Sequence, residues 1–198
     1  MVISSGIRHK VVKKSLDKRN EMPYNGLTAT YKAFLIMGSD KNVKLYATTK
    51  LAKSNREVPI VVIDGEDYGY WKHPNELMCF FRHKMGKEVW KNWDCYEEEL
   101  ELDIELCKEF HKLLEKAVQL HEEVVGDRWS SIDGDNPKHR EFFDEVAKMF
   151  YFTEDEMDYD DYTICHLYSE YDLFDDIVNK IEELDAKNET YFVTLICD

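Results

Sequence analysis

The sequence predicts an α+β fold, in which an N-terminal antiparallel meander of about four strands is joined by a C-terminal strand and packed against about four helices. Three observations carry this reading. Short β-branched and aromatic runs separated by turn residues occupy residues 27–71. Apolar residues at three- and four-residue spacing dominate 75–187. A further β-rich run, Tyr191-Phe-Val-Thr-Leu-Ile196, follows the helices. Strands and helices segregated along a chain read as one sheet with helices on one side, so the last strand is expected to return to the first ones.

The elements follow in order. Residues 1–26 are polar and basic, with Lys10, Lys13, Lys14, Lys18 and Arg19, and end in the turn Pro23-Tyr-Asn-Gly26. They read as an arm or irregular lead-in to a single domain over 27–198. Thr28, Thr30, Tyr31, Phe34, Leu35 and Ile36 make 27–37 a first strand. After the turn Ser39-Asp-Lys-Asn42, Val43 to Thr48 alternates as a second strand. Val58-Pro-Ile-Val-Val-Ile63 is a third, its proline near the start where a strand tolerates one. Asp64-Gly-Glu-Asp67 then turns the chain into Tyr68-Gly-Tyr-Trp71.

Pro74 suits the first position of a helix over about 75–85, with Leu77, Met78, Phe81 and Met85 inward and Gly86 as its stop. A short piece bearing Val89, Trp90 and Trp93 leads to the longest predicted helix, from about Tyr96 to Val125. Its apolar stripe is Leu106, Phe110, Leu113, Ala117, Leu120 and Val124. Asn136-Pro137 is a cap and first-turn pair that opens a helix burying Phe142, Phe143, Val146, Met149 and Phe150. The last helix, about His166 to Lys187, uses Leu167, Tyr171, Phe174, Val178, Ile181 and Leu184, and Asn188 stops it.

A chain of 198 residues can bury roughly 70% of its unfolded surface and needs no staple. It contains no apolar run of about 18 residues and no signal-peptide pattern near the N-terminus. Its five cysteines include no CxxC pair and are expected to be reduced thiols. The expected compartment is therefore the cytoplasm.

Charge is the most unusual property. The net value is −15, but residues 1–60 carry twelve Lys or Arg against four Asp or Glu, and residues 61–198 carry fourteen against thirty-seven. Self-repulsion in so acidic a segment opposes compaction, while an acidic surface attracts basic proteins and repels nucleic acid.

Three acidic arrays stand out. On the predicted long helix Glu98, Glu101, Glu105 and Glu109 form one stripe, with neighbouring Cβ atoms about 5–6 Å apart, a spacing comparable to that of phosphates along a DNA strand. Glu154, Asp155, Glu156, Asp158, Asp160 and Asp161 put six carboxylates into eight positions. On the last helix Glu170, Asp172, Asp175, Asp176, Glu182, Glu183 and Asp185 face only Lys180 and Lys187. For the long helix, acids early and lysines late also complement the helix dipole.

Metal and catalytic chemistry find less support. Cys79/His83 and Cys107/His111 have the i, i+4 spacing that places two zinc ligands on one helix face, but no knuckle accompanies them. Asp133-Gly-Asp135 fails as a calcium loop, since Pro137 and Lys138 fall where an oxygen ligand and a glycine belong. It reads as a turn into the Asn136 cap. No GxSxG, HExxH, Walker or GxGxxG motif occurs, and Asp185-Ala-Lys187, a (D/E)xK match, lies at a helix end. The aromatics Tyr68, Tyr70, Trp71, Trp90, Trp93 and Trp129 suit either a small core or a partner surface.

These features predict a non-enzymatic acidic protein, without cofactor or metal, that binds and inhibits a basic, nucleic-acid-handling partner protein. The partner-binding residues expected are Glu98, Glu101, Glu105, Glu154, Asp155, Glu156, Asp158, Asp160, Asp161, Asp172, Asp175 and Asp176. In size and charge the chain resembles phage-encoded anti-defence inhibitors, including DNA mimics and inhibitors of CRISPR nucleases, which would place it in a host cytoplasm. No membrane is expected as a partner, and nucleic acid only through the basic N-terminal segment. The alternative is a small metal-dependent or acid/base hydrolase using Asp64, Glu66 and Asp67 of the hairpin turn, with His73.

Overall fold

Alternation of Val43, Leu45 and Ala47, all buried, with half-buried Lys44 and Tyr46 makes β1 (Lys41–Thr48) a strand with one face on the core. The computed structural model describes residues 41–48, 59–68, 76–92, 99–157 and 164–197. The arm at 1–26 and the strand expected over 27–37 lie outside them. β1 pairs antiparallel with β2 (Pro59–Asp64) on one side and along its whole length with β4 (Thr190–Cys197) on the other. A third partner, β3 (Leu100–Leu102), lies antiparallel to β4, giving the order β2-β1-β4-β3. The fold is α+β, and the C-terminal strand does return to the N-terminal ones, at the centre of the sheet.

The turn after β2 differs from the expected hairpin. Residues Gly65–Tyr68 form a 3-10 turn, and the strand expected at 68–71 runs into residues outside the description. Gly65 is buried, and a Cβ there would collide with the Asn42 side chain and crowd the Val43 backbone, which explains a glycine at this position.

Five α-helices follow among the described residues. α1 (Glu76–Met85) buries Leu77, Cys79, Phe80 and Phe81 and stops at Gly86, whose φ of 91° is the left-handed conformation glycine tolerates. α2 (Lys87–Asn92) is short and buries nothing fully. α3 (Ile104–Val124) begins at Asp103, whose carboxylate accepts the Leu106 N–H at 3.0 Å. α4 (Pro137–Phe150) begins at Asn136, whose side chain accepts the Lys138 N–H at 3.0 Å, and ends at Tyr151 in the left-handed region. α5 (Ile164–Lys187) ends at Asn188, also left-handed, where the Glu189 N–H returns to the Leu184 carbonyl at 3.0 Å.

The long helix expected over 96–125 is a correction. Its first part is replaced by β3 and the Asp103 cap, with residues 93–98 outside the description. Leu102, buried and opposite Val193, extends the sheet with an apolar contact that an exposed helical turn would not supply. Replacing Asp103 by alanine is expected to lower the stability by about 1 kcal/mol through loss of the cap. Urea unfolding would measure this, and an unchanged midpoint would show that the cap contributes nothing.

The buried face of α3 is also rotated from the predicted stripe. Cys107, Phe110, Leu114, Ala117, Val118 and His121 are buried, while Leu106, Leu113, Leu120 and Val124 are half-buried at its margins. The reason is that α3 packs on both α5 and α4, so its apolar stripe widens to serve two neighbours. Helices and sheet share one core, in which Phe80, Phe81, Phe110, Phe150 and Phe174 join Val43, Leu45, Leu102, Val193 and Leu195.

Candidate interaction surface

The predicted partner-binding acids fall into distinct environments. Glu98, Asp158, Asp160 and Asp161, and the side chain of Asp155, lie outside the described residues. Glu101 is on β3 opposite Thr194, not on the helix that carries Glu105, so the supposed single stripe is divided between two elements. Glu105 sits in the first turn of α3 and pairs with Lys108 at 3.2 Å. Glu109, also of that stripe, pairs with Lys84 of α1 at 2.6 Å. Glu154 is exposed.

Glu156 has an inward role. Arg82 of α1 grips both its carboxylate oxygens, at 2.6 and 2.8 Å, and the Thr153 N–H and hydroxyl donate to it at 2.9 and 2.8 Å. Burial alone would push this carboxyl up; the Arg82 and Thr153 hydrogen bonds outweigh it and hold Glu156 below its ordinary value. The 154–156 turn is thereby fastened to α1.

On α5 the acids are largely engaged from within. Asp172 pairs with Arg128 at 2.5 Å, and Asp175 meets His111 at 3.1 Å and Asn179 at 3.1 Å. Asp176 accepts the Tyr68 hydroxyl, and Asp185 accepts that of Tyr191 at 2.6 Å. Glu183 lies between Lys180 and Lys187, whose hydrogen bonds lower its carboxyl to about 2. These pairings leave Asp172 and Asp175 at 41% and 44% side-chain exposure, within reach of another molecule.

Glu170 is different in kind. It is fully buried, as is Glu76 at the start of α1, and its Oε2 accepts the Leu77 N–H at 3.2 Å. Burial, with the Glu76 charge adding to it, pushes the Glu170 carboxyl well above its ordinary value. Glu170 therefore does not belong to the acidic outer face expected from the sequence, because it lies in the core. The sequence does carry a signal for its burial: Leu167, Glu170, Phe174, Ile177, Ile181 and Leu184 form an unbroken three-four series on α5.

Further acids line a groove where α3 meets α4. Leu120, Val124 and Phe142 floor an open groove of about 390 Å³, with Glu123 on one wall, Glu141 and Glu145 on the other, and Lys138 beside them. Glu145 pairs with Lys148 at 3.2 Å, whereas Glu123 and Glu141 have no ion pair or hydrogen bond among the described residues. Glu122 and Glu123 also occupy the last turn of α3, where the helix dipole is negative and each acid costs about 0.3–1 kcal/mol. The base in that turn is His121, which burial pushes below its ordinary value against the opposing hydrogen bond to Ser130. Sequence spacing does not single out these acids, because they are scattered over two helices and converge only through the α3–α4 packing.

The connector between the two helices is held from both ends. Gly126, at φ 142°, turns the chain out of α3. His121 contacts the Ser130 carbonyl through Nε2 at 3.2 Å; since a carbonyl only accepts, Nε2 carries the proton and Nδ1 accepts the Tyr168 hydroxyl at 3.0 Å. Asp133 accepts the Asp135 N–H at 3.0 Å and its own N–H donates to His139 Nδ1 at 2.9 Å, the turn that the sequence suggested in place of a calcium loop. This frame presents Trp129 at 82% exposure, with the Arg128 guanidinium 5.8 Å from its ring centroid.

The zinc and hydrolase candidates have other occupations. Cys79 and Cys107 are buried free thiols, both pushed well up by burial. His83 stacks on Tyr151 at 3.8 Å between ring centroids, and His111 faces Asp175. Asp64 accepts from Asn42 at 2.8 Å and pairs with Lys44 at 3.0 Å. His73 and the side chains of Glu66 and Asp67 lie outside the described residues. No helix among the described residues is long and apolar enough to cross a membrane. No family model, no curated protein and no solved structure matches the chain.

Proposed function

We propose that this is a non-enzymatic binding protein whose acidic surface engages a basic partner protein and, by covering the partner's basic face, inhibits it. The observation that supports the reading is the placement of Glu123, Glu141 and Glu145, against the single base Lys138, around an apolar groove, in a segment of 138 residues already strongly negative. Carboxylates in the last turn of α3 do not serve the stability of the helix, which makes them available for an external role. A nucleic-acid-handling protein is the partner class of choice, because its working face is built of Lys and Arg for phosphate contact. Trp129 adds the kind of rigid aromatic that dominates binding energy at interfaces.

Attraction of this kind is long-range and screened by salt. Purified protein immobilised and exposed to a bacterial lysate is expected to retain a basic nucleic-acid-binding protein at about 50 mM salt and release it at about 500 mM. The captured protein should then lose activity on its nucleic acid when the acidic protein is added. A lysate from which nothing is retained in a salt-sensitive manner would sink the proposal.

A further inference from the structure

We infer that the groove between α3 and α4 is the seat of a basic amphipathic helix of the partner, an inference that rests on the function proposed above. Leu120 and Val124 on α3 are one turn apart, as are Glu141 and Glu145 on α4. Four residues of helix rise about 6 Å, so the groove matches one to two turns of a helix laid into it. Its floor of Leu120, Val124 and Phe142 takes one or two apolar side chains at i, i+4 spacing.

The walls define the rest of the occupant. Glu123 stands on the α3 side and Glu141 and Glu145 on the α4 side, so carboxylates border the apolar floor along both edges. A helix whose apolar stripe is flanked on both borders by Lys or Arg satisfies floor and walls together. An acidic helix would meet like charge on each edge, and a purely polar basic segment would leave the floor unfilled. The negative end of the α3 dipole beside Glu123 adds to the preference for a cation. Lys138, in the first turn of α4, supplies the base among the lining residues. A carboxylate or helix C-terminus of the occupant placed near it would set the direction in which the helix lies.

The test uses a defined probe. A fluorescein-labelled helical peptide of about 18 residues, with leucines at i, i+4 and lysines along both borders, is titrated with the full chain at low salt. A second peptide keeps the lysines and replaces every leucine by serine. Reversing both Glu123→Lys and Glu141→Lys is expected to weaken the leucine peptide about tenfold or more, and the control Glu182→Lys, an exposed acid on α5, less than about twofold. Leu120→Gln should weaken it as well, and the serine peptide should bind poorly to every form. Thermal unfolding of each variant checks that the fold is retained; the two charge reversals alter exposed side chains alone.

Equal losses from Glu182→Lys and from the groove reversals, or equal binding of the serine and leucine peptides, would overturn the inference in favour of non-specific charge attraction. Salt-sensitive capture of a basic protein by the chain carrying both reversals would overturn the groove assignment and leave the broader function standing. Absence of any salt-sensitive capture by the unaltered chain removes both.

Discussion

Replacing Phe110 by alanine is expected to cost about 3–5 kcal/mol, the range for deleting a large aromatic from a packed core. Phe110 is fully buried, and its ring lies 5.1 Å from Phe80, 5.4 Å from Phe81, 5.6 Å from Phe150 and 4.8 Å from Phe174, centroid to centroid. Those four rings come from α1, α4 and α5, so the residue joins three helices to α3. The pairs with Phe81, Phe150 and Phe174 are edge-to-face and that with Phe80 is tilted, arrangements that add to the area buried. Phe110→Leu, which keeps more of the volume, should lose less than the alanine variant. Typical domains have about 5–15 kcal/mol of total stability, so the alanine form would be marginal. Chemical denaturation measures both changes; a loss below about 1 kcal/mol for the alanine variant would refute the central role given to this ring.

The second large effect concerns pH. Glu170 has its carboxyl raised in the folded state by burial and by the neighbouring Glu76 charge. A raised folded value means that the favourable contribution is complete below the unfolded value of 4.5 and is lost as pH rises through the folded one. Stability should therefore decline from mildly acidic pH toward alkaline pH, with a slope of up to about 1.4 kcal/mol per pH unit for one proton. Glu156 acts in the opposite sense. Its lowered value contributes stability above 4.5 that disappears as pH falls through the folded value.

Glu170→Gln should flatten the alkaline decline, because an amide of the same shape can still accept the Leu77 N–H and carries no charge to desolvate. At about pH 8 the glutamine form is expected to be the more stable of the two. Parallel unfolding curves of both proteins across that range decide the matter. Identical pH slopes would show that Glu170 does not control the decline.

Much of the architecture was legible because its signals are local. Asn136-Pro137, Gly86 and Asn188 mark helix ends by capping chemistry that acts within a few residues. The alternation of Val43, Leu45 and Ala47 likewise declares a half-buried strand from period alone. The start of α3 was less clear: an acid-rich run from Glu97 to Glu105 has helical composition, and its interruption by Asp103 is overshadowed by the apolar series that follows. The arrangement of the acids was not readable in the sequence. Like charges in a sequence carry no mark of which will find an arginine or lysine after folding.

By itself, then, the sequence determined the α+β class, the return of the C-terminal strand to the first ones, most helix boundaries and the charge imbalance between the two parts of the chain. These depend on periodicity, capping and composition, all of which act between near neighbours or over the whole chain. Tertiary structure alone decided that Leu100–Leu102 becomes a strand, because β4 offers it a paired edge. It also decided that Glu170 is buried, that Arg82 and Arg128 engage Glu156 and Asp172, and that Glu123 and Glu141 line one groove. The physical reason is common to all of these: each depends on a contact between residues far apart in the chain, which only the packed fold brings together.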